Sequence, residues 1–573
     1  MFENVKGRVL FRMMRFSCGV SFMLYGYDAG VLGGVQDTEP FRHAMGNPTG
    51  TYIIPMIASS YTLAATVCCL FVSIVGMPLG RRNIILLGNL FVIIGASLQA
   101  SAWSVPHMIV GRLMCGFGIG FISCTVPTYM AEMSTEVAQR GPEVAFTCAL
   151  LISGIPLAYW LDFGFTRMTN QVSWRFPIGF QAFFAVASGA VMLVLPDTPR
   201  WYYAKGRNAE GDAILVRLFD KDLEHPEVQA MRHDIISTIE LESEEKNKFN
   251  FWGLFWDNSD LKVGRRIRIS FMLLSLQQMM GINLSVYYST SIFRNVGLSP
   301  FLAQLLAAVM NTMFALGTWP LPATIERFGR RHIMFWSAFV CALFMTTFVA
   351  LIGSPNPTIS KQWAAAAIIC LWNMVFGYGW VGCPWLYGPE IAPLKHRHVG
   401  GAAGAFGEWL FSFITVFAGG IALERVGWKI WLWMLLCNWI AMPFIWWLCP
   451  ETTGKSLEEI DLIFAKSHIR EAILAEQRLN GGGDEKKHEI EGSVQFEREC
   501  LDKANKGNPV QYWSIVAGDS SEDFVAHSFL CMWAELQCNI DSGSVVQSLT
   551  YASSHVAIER VRRSKEMALA VSN

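Results

Sequence analysis

Residues 277–288 read QQMMGINLSVYY, and they lie inside an apolar run, 267–293. Two glutamines and an asparagine are out of place in a greasy segment unless something polar meets them. On an unbroken helix Gln277, Gln278 and Asn283 would point about 0°, 100° and 240° round the axis, so they cannot share a face. Gly281 stands between them and weakens the helix there. Irregular backbone at membrane depth is tolerated only where it is buried in protein or lines a wet cavity. A helix unwound at Gly281 would turn all three amides toward such a cavity. Amides carry donors and acceptors without net charge, which suits a neutral solute whose hydroxyls both give and accept. The plainer alternative is that they only hold neighbouring helices together.

The run is one of twelve. The others fall near 16–35, 52–76, 83–103, 107–130, 143–162, 176–196, 300–322, 332–353, 363–388, 400–421 and 428–449. Each is about the length that crosses a bilayer's hydrocarbon core. The chain is 573 residues long, 52% hydrophobic and only 16% charged, against about a quarter charged in soluble domains. The expected class is an all-α membrane protein with twelve transmembrane helices. Leaving out the middle loop and the tail 455–573, twelve Lys and Arg flank the runs on the side shared by both termini and seven on the other, which puts both termini in the cytosol. The net charge of −1 gives no sign of a nucleic-acid partner. Of fourteen cysteines, eleven fall in the runs and three, Cys500, Cys531 and Cys538, near the end. No disulfide and no metal site is expected from that spacing.

The chain also repeats itself. Gly80-Arg81-Arg82 recurs as Gly329-Arg330-Arg331, an offset of 330 − 81 = 249. PTYMAE at 127–132 is echoed by WLYGPE at 385–390, an offset of 390 − 132 = 258, and PDTPR at 196–200 by PETTG at 450–454, an offset of 450 − 196 = 254. Three echoes at nearly one offset define two six-helix pseudo-repeats. The implied domains are 1–196, a first bundle; 197–266, a cytosolic linker with short helices; 267–454, a second bundle; and 455–573, a cytosolic tail, largely disordered. Parallel repeats of this kind hold a solute near the midplane between the halves in many secondary transporters.

Asp28 is an acid inside the first run, costly there and a functional candidate for that reason. Arg112, in the fourth run, lies at matching depth: counted from the helix ends, both sit about 8–10 Å below the outer surface. They form an ion pair that either pins two helices or breaks on protonation.

GYDAG (26–30), GRLMCGFGIG (111–120), PTYMAE, PDTPR, QQMMGIN (277–283), ERFGRR (326–331) and PETTGKSLEE (450–459) together resemble the sugar-porter branch of the major facilitator superfamily, in its fungal form. The likeness covers about residues 10–460. It implies the major facilitator fold and a carrier working by alternating access. Gln277, Gln278, Asn283 and Asn311 would hydrogen-bond a sugar, Trp385 would stack on it, and Trp409 would be a further face of that kind. Tyr287 and Tyr288 would close an outer gate. Asp28 and Arg112 would couple transport to a proton. Arg81, Arg82, Glu132, Arg140, Arg330, Arg331, Glu390 and Arg397 would form an inner gate, with Arg200 beside it.

The resemblance implies a proton symporter for a sugar or sugar-like polyol, a monomer in the plasma membrane, without cofactor or enzymatic activity. A facilitative uniporter, or a sugar sensor signalling through the tail, remains the alternative. Four positions depart from the family pattern. Met77 replaces an acid, Cys148 a glutamine, Glu408 an asparagine beside Trp409, and Ser412 another asparagine. These favour a disaccharide, pentose, polyol or cyclic acid over plain glucose.

Overall fold

The computed structural model describes residues 5–134, 140–245, 262–354, 358–392, 397–455 and 457–464. Twelve long helices carry the fold: α1 Gly7–Val35, α2 Ile53–Leu79, α3 Arg81–Ala100, α4 Val105–Met133, α5 Arg140–Phe165 and α6 Val172–Met192, then α7 Val263–Tyr287, α8 Pro300–Thr318, α9 Arg330–Ile352, α10 Ile359–Ile391, α11 Arg397–Arg425 and α12 Ile430–Leu448. Eleven are long and apolar enough to cross a membrane by composition alone. The exception is α1, whose 29 residues reach about 43 Å but whose hydropathy is lowered by Asp28, Tyr25, Tyr27 and its glycines. Residues such as Phe183, Leu193 and Trp447 lie exposed on the outside, where lipid would cover them.

The two halves pack by one plan. In the first, α1 packs on α5, α3 on α4 and α6, and α2 on α4; in the second, α7 packs on α11, α9 on α10 and α12, and α8 on α10. Between the halves α2 meets α11 and α5 meets α8, which is again one contact repeated. Close approach needs small residues. A Cβ on Gly26 of α1 would collide with the Leu151 carbonyl of α5, and one on Gly154 with the Met23 carbonyl of α1. Without a hydrophobic drive between helices in lipid, such contacts supply the association.

The repeat reaches individual hydrogen bonds. Asp197 of PDTPR accepts from the backbone N–H groups of Arg81 and Arg82; Glu451 of PETTG accepts from those of Arg330 and Arg331. Tyr129 Oη donates to the Pro196 carbonyl at 2.8 Å, and Tyr387 Oη to that of Pro450 at 2.7 Å. Each acid sits on an N-terminus, where helix N–H groups lack partners and the macrodipole favours negative charge.

Two helices are interrupted. In α7 the segments Val263–Met279 and Ile282–Tyr287 are separated at Gly281, whose φ is +114°. In α10 a π-helical stretch, Gly377–Val381, joins Ile359–Phe376 to Gly382–Ile391. The run 267–293 begins earlier than hydropathy suggests: α7 starts at Val263 because Arg265, Arg266 and Arg268 mask its foot. The middle segment carries Pro199–Ala204, Asn208–Phe219 and Pro226–Glu245; Asn208–Phe219 packs on α1, and Arg217 donates to the carbonyl of Val5, just before that helix. A short helix, Leu457–Phe464, follows α12; the expected disordered tail beyond it lies outside the described residues.

Candidate functional site

The break at Gly281 separates the three amides into two settings. Asn283 Nδ2 donates to Gln278 Oε1 at 2.7 Å and to Ser412 Oγ of α11 at 2.7 Å. Those three form one cluster, with Asn283 partly exposed and the other two buried. Gln277 does not join them. Its Nε2 donates to the Trp380 carbonyl, inside the π-helical stretch of α10 where the regular bonding ladder is disturbed. The Gln277 Oε1 is buried without a partner. Asn311 is fully buried, its Nδ2 shared between Ser289 Oγ at 3.1 Å and the Ala307 carbonyl at 2.8 Å, with Oδ1 unpartnered. Trp385 is partly buried against the core.

A second chain of contacts crosses between the halves. Arg112 Nη1 donates to Asp28 Oδ1 at 2.7 Å, and both side chains are 0% exposed. The guanidinium lies over the Tyr61 ring, 4.7 Å from its centroid. Tyr61 meets Trp409 edge-on at 5.8 Å, and Trp409 meets Tyr25 at 5.1 Å. Trp409 Nε1 donates to Ser123 Oγ of α4 at 3.3 Å. Beside it Tyr25 Oη donates to Glu408 Oε1 at 3.5 Å. Glu408 and Trp409 of the second half are thus seated against α1, α2 and α4 of the first.

One end of the seam is latched by backbone acceptors. Tyr159 Oη donates to the Val286 carbonyl, Gln36 Nε2 to that of Tyr287 and Thr290 Oγ1 to that of Gly33, at 2.5, 2.8 and 3.0 Å. Asp37 accepts from Ser291 Oγ at 2.9 Å and lies 3.9 Å from Arg294. Tyr287 and Tyr288 are both buried here, and Tyr288 Oη donates to the Val416 carbonyl at 2.9 Å.

The opposite, basic end carries one ion-pair cluster per half. Arg81 pairs with Glu132 at 2.8 Å; Arg330 pairs with Glu326 at 2.6 Å and with Glu390 at 2.9 Å. Arg82 and Arg331 donate instead to helix-end carbonyls, those of Met192 and Leu193, and of Trp446. These contacts all lie within a half. The side chains of Arg140 and Arg397 lie outside the described residues. The halves nevertheless touch here, since a Cβ on Gly141 would strike Glu326 Oε1. The two capping acids differ. Burial pushes the Asp197 carboxyl above the usual range despite its backbone bonds. Burial also opposes charge on Glu451, but bonds from Thr453, Thr452 and Arg330 outweigh it and hold that carboxyl below the usual range.

Sequence reading missed Tyr25, Tyr61 and Ser123, because each is unremarkable alone and matters only through helix packing. Asp197 and Glu451 lie in the PDTPR and PETTG motifs, and their equivalence in the repeat was the available signal. Arg266, fully buried over the Phe464 ring, had none.

Two parallel six-helix repeats, a broken helix with polar side chains at the seam and a sealed ion pair inside the bilayer define a membrane transporter. Residues 16–464 match the family profile described as sugar (and other) transporter, and the chain belongs to that family. It is 32% identical over 451 residues to the MFS-type transporter oryC of Aspergillus oryzae, covering 78% of this chain and 84% of that protein. It is 31% identical over 481 residues to the sugar transporter STL1 of Saccharomyces cerevisiae, covering 81% and 83%. The fold is that of the proton:xylose symporter XylE of E. coli, with a TM-score of 0.67 at 20% identity over 79% of this chain and 99% of XylE.

Proposed function

We propose that this protein carries a sugar or sugar-like polyol across the plasma membrane by alternating access, as a proton symporter with both termini in the cytosol. The name of STL1 supports a sugar-like solute, and that of XylE a coupled proton. Gln278, Asn283 and Ser412 offer uncharged donors and acceptors at the seam, with Gln277 and Asn311 behind them and Trp385 and Trp409 as apolar faces. The Val286–Arg294 latch is the outer gate, and the paired clusters around Arg81 and Arg330 are the inner one.

The observation that carries symport is the Asp28–Arg112 pair, sealed at 2.7 Å with Asp28 Oδ2 unpartnered. Protonating Asp28 would remove the charge that holds Arg112, and the balance between states would change by that difference in interaction. In a carrier that only equilibrates its solute, the pair would be a permanent tie between α1 and α4. The test is uptake of labelled hexoses, pentoses and polyols by a yeast strain lacking its own hexose carriers, with and without a protonophore. Uptake that collapses with the protonophore is expected. Uptake indifferent to it would identify a uniporter, and no uptake despite surface delivery would favour a sensor.

A further inference from the structure

The seam holds a second carboxyl that the coupling pair does not use. Glu408 of α11 is 5% exposed, and its Oε2 is buried without any hydrogen-bond partner. Among the described residues it makes no ion pair. Its Oε1 receives one long bond, from Tyr25 Oη at 3.5 Å. The titratable groups near it are Tyr25 on α1, Cys69 on α2, Cys124 on α4 and Cys148 on α5, all neutral in their ordinary forms. One turn further along the same face of α11, Ser412 holds Asn283 of α7. Glu408 therefore sits between the halves, next to the amide cluster, with no cation among the described residues to balance it. Asp28, by contrast, has Arg112.

A carboxylate without a cation at this depth is strongly disfavoured, whereas a neutral acid needs only ordinary hydrogen bonding. Water would reach the side chain only when α11 parts from α1 and α2, because those helices cover it here. Opening then changes the solvation of Glu408 far more than that of a residue buried within one half.

We propose that Glu408 is a second proton-carrying group, charged with a proton while the seam is closed and able to exchange it with water when the seam opens. The proton passes from water on one side to the Glu408 carboxylate, and from the neutral acid back to water on the other. Tyr25 is its positioning residue. This rests on the carrier reading above and adds a proton to it, separate from that of Asp28.

Infrared difference spectroscopy on the purified carrier in lipid nanodiscs tests it without any solute. A protonated-carboxyl carbonyl band is expected near neutral pH in the wild type and in Asp28→Asn; Glu408→Gln is expected to lose one component of it, the rest coming from acids such as Asp162, which is 1% exposed with both carboxyl oxygens unpartnered. Coincident spectra for wild type and Glu408→Gln would overturn the proposal, even if the variant transports nothing. A second arm measures proton flux per solute in proteoliposomes, with labelled xylose, glucose and glycerol as probes. The ratio is expected to fall by about half in Glu408→Gln, one proton of two ceasing to follow the conformational exchange. An equal, non-zero ratio in both proteins would defeat Glu408 alone. No proton flux in the wild type would defeat the symport reading, and this proposal with it.

Discussion

Replacing Asp28 by Leu leaves Arg112 charged, 0% exposed and without its 2.7 Å partner. Its remaining contacts are weak: a 3.4 Å bond to the Ala58 carbonyl and the Tyr61 ring. Both are present before and after the change, so they offset nothing. Breaking a buried pair from one side costs about 3–5 kcal/mol. Arg112→Met should cost about as much, because it strands the carboxylate instead. The double variant removes both charges and leaves two apolar side chains of similar reach, a change that is often neutral. The singles should therefore melt several degrees below the wild type, and the double within a degree or two of it, a coupling of at least about 6 kcal/mol. Ten of the eleven free cysteines in the described residues are buried, so a thiol-reactive dye reports unfolding in detergent at one fixed scan rate. Added salt should leave the differences unchanged, because a sealed pair is little screened. Singles that melt with the wild type, or a double that melts with the singles, would refute the reasoning.

Three further outcomes follow from particular contacts. Asn283→Ala removes the donor shared by Gln278 and Ser412; uptake should fall with membrane abundance unchanged, measured by labelled uptake against surface biotinylation. Gly26→Leu drives a side chain into the Leu151 carbonyl of α5 and should abolish folded protein, seen as loss of the monodisperse peak in detergent chromatography. The Glu451 carboxyl is held below its ordinary value, so its contribution is present above about pH 4.3 and lost as pH falls through the lower, folded value. The melting gap between wild type and Glu451→Gln should accordingly shrink on acidification, and a gap that widened would contradict that sign.

Much of the architecture was legible because a bilayer imposes length and polarity on every crossing. The break at Gly281 could be read from one glycine among amides, and the Asp28–Arg112 pair from depth counting alone. The direction of each amide could not. Gln277 turns to Trp380 because α10 has a π-helical stretch there, and nothing in GYGWV announces an extra residue in the turn. The gate clusters were legible as charges in motifs, but their partners were not. Arg82 and Arg331 spend their donors on helix-end carbonyls rather than on the motif glutamates. Glu408 stood out as an acid where the family carries an amide, yet its solitude depends on what five helices bring to one place.

The most direct measurement uses the purified wild-type carrier in sealed liposomes with an acid-outside gradient. Solute is expected to accumulate inside above its outside concentration, and a protonophore to collapse the excess. Simple equilibration, unchanged by the gradient, would contradict proton symport.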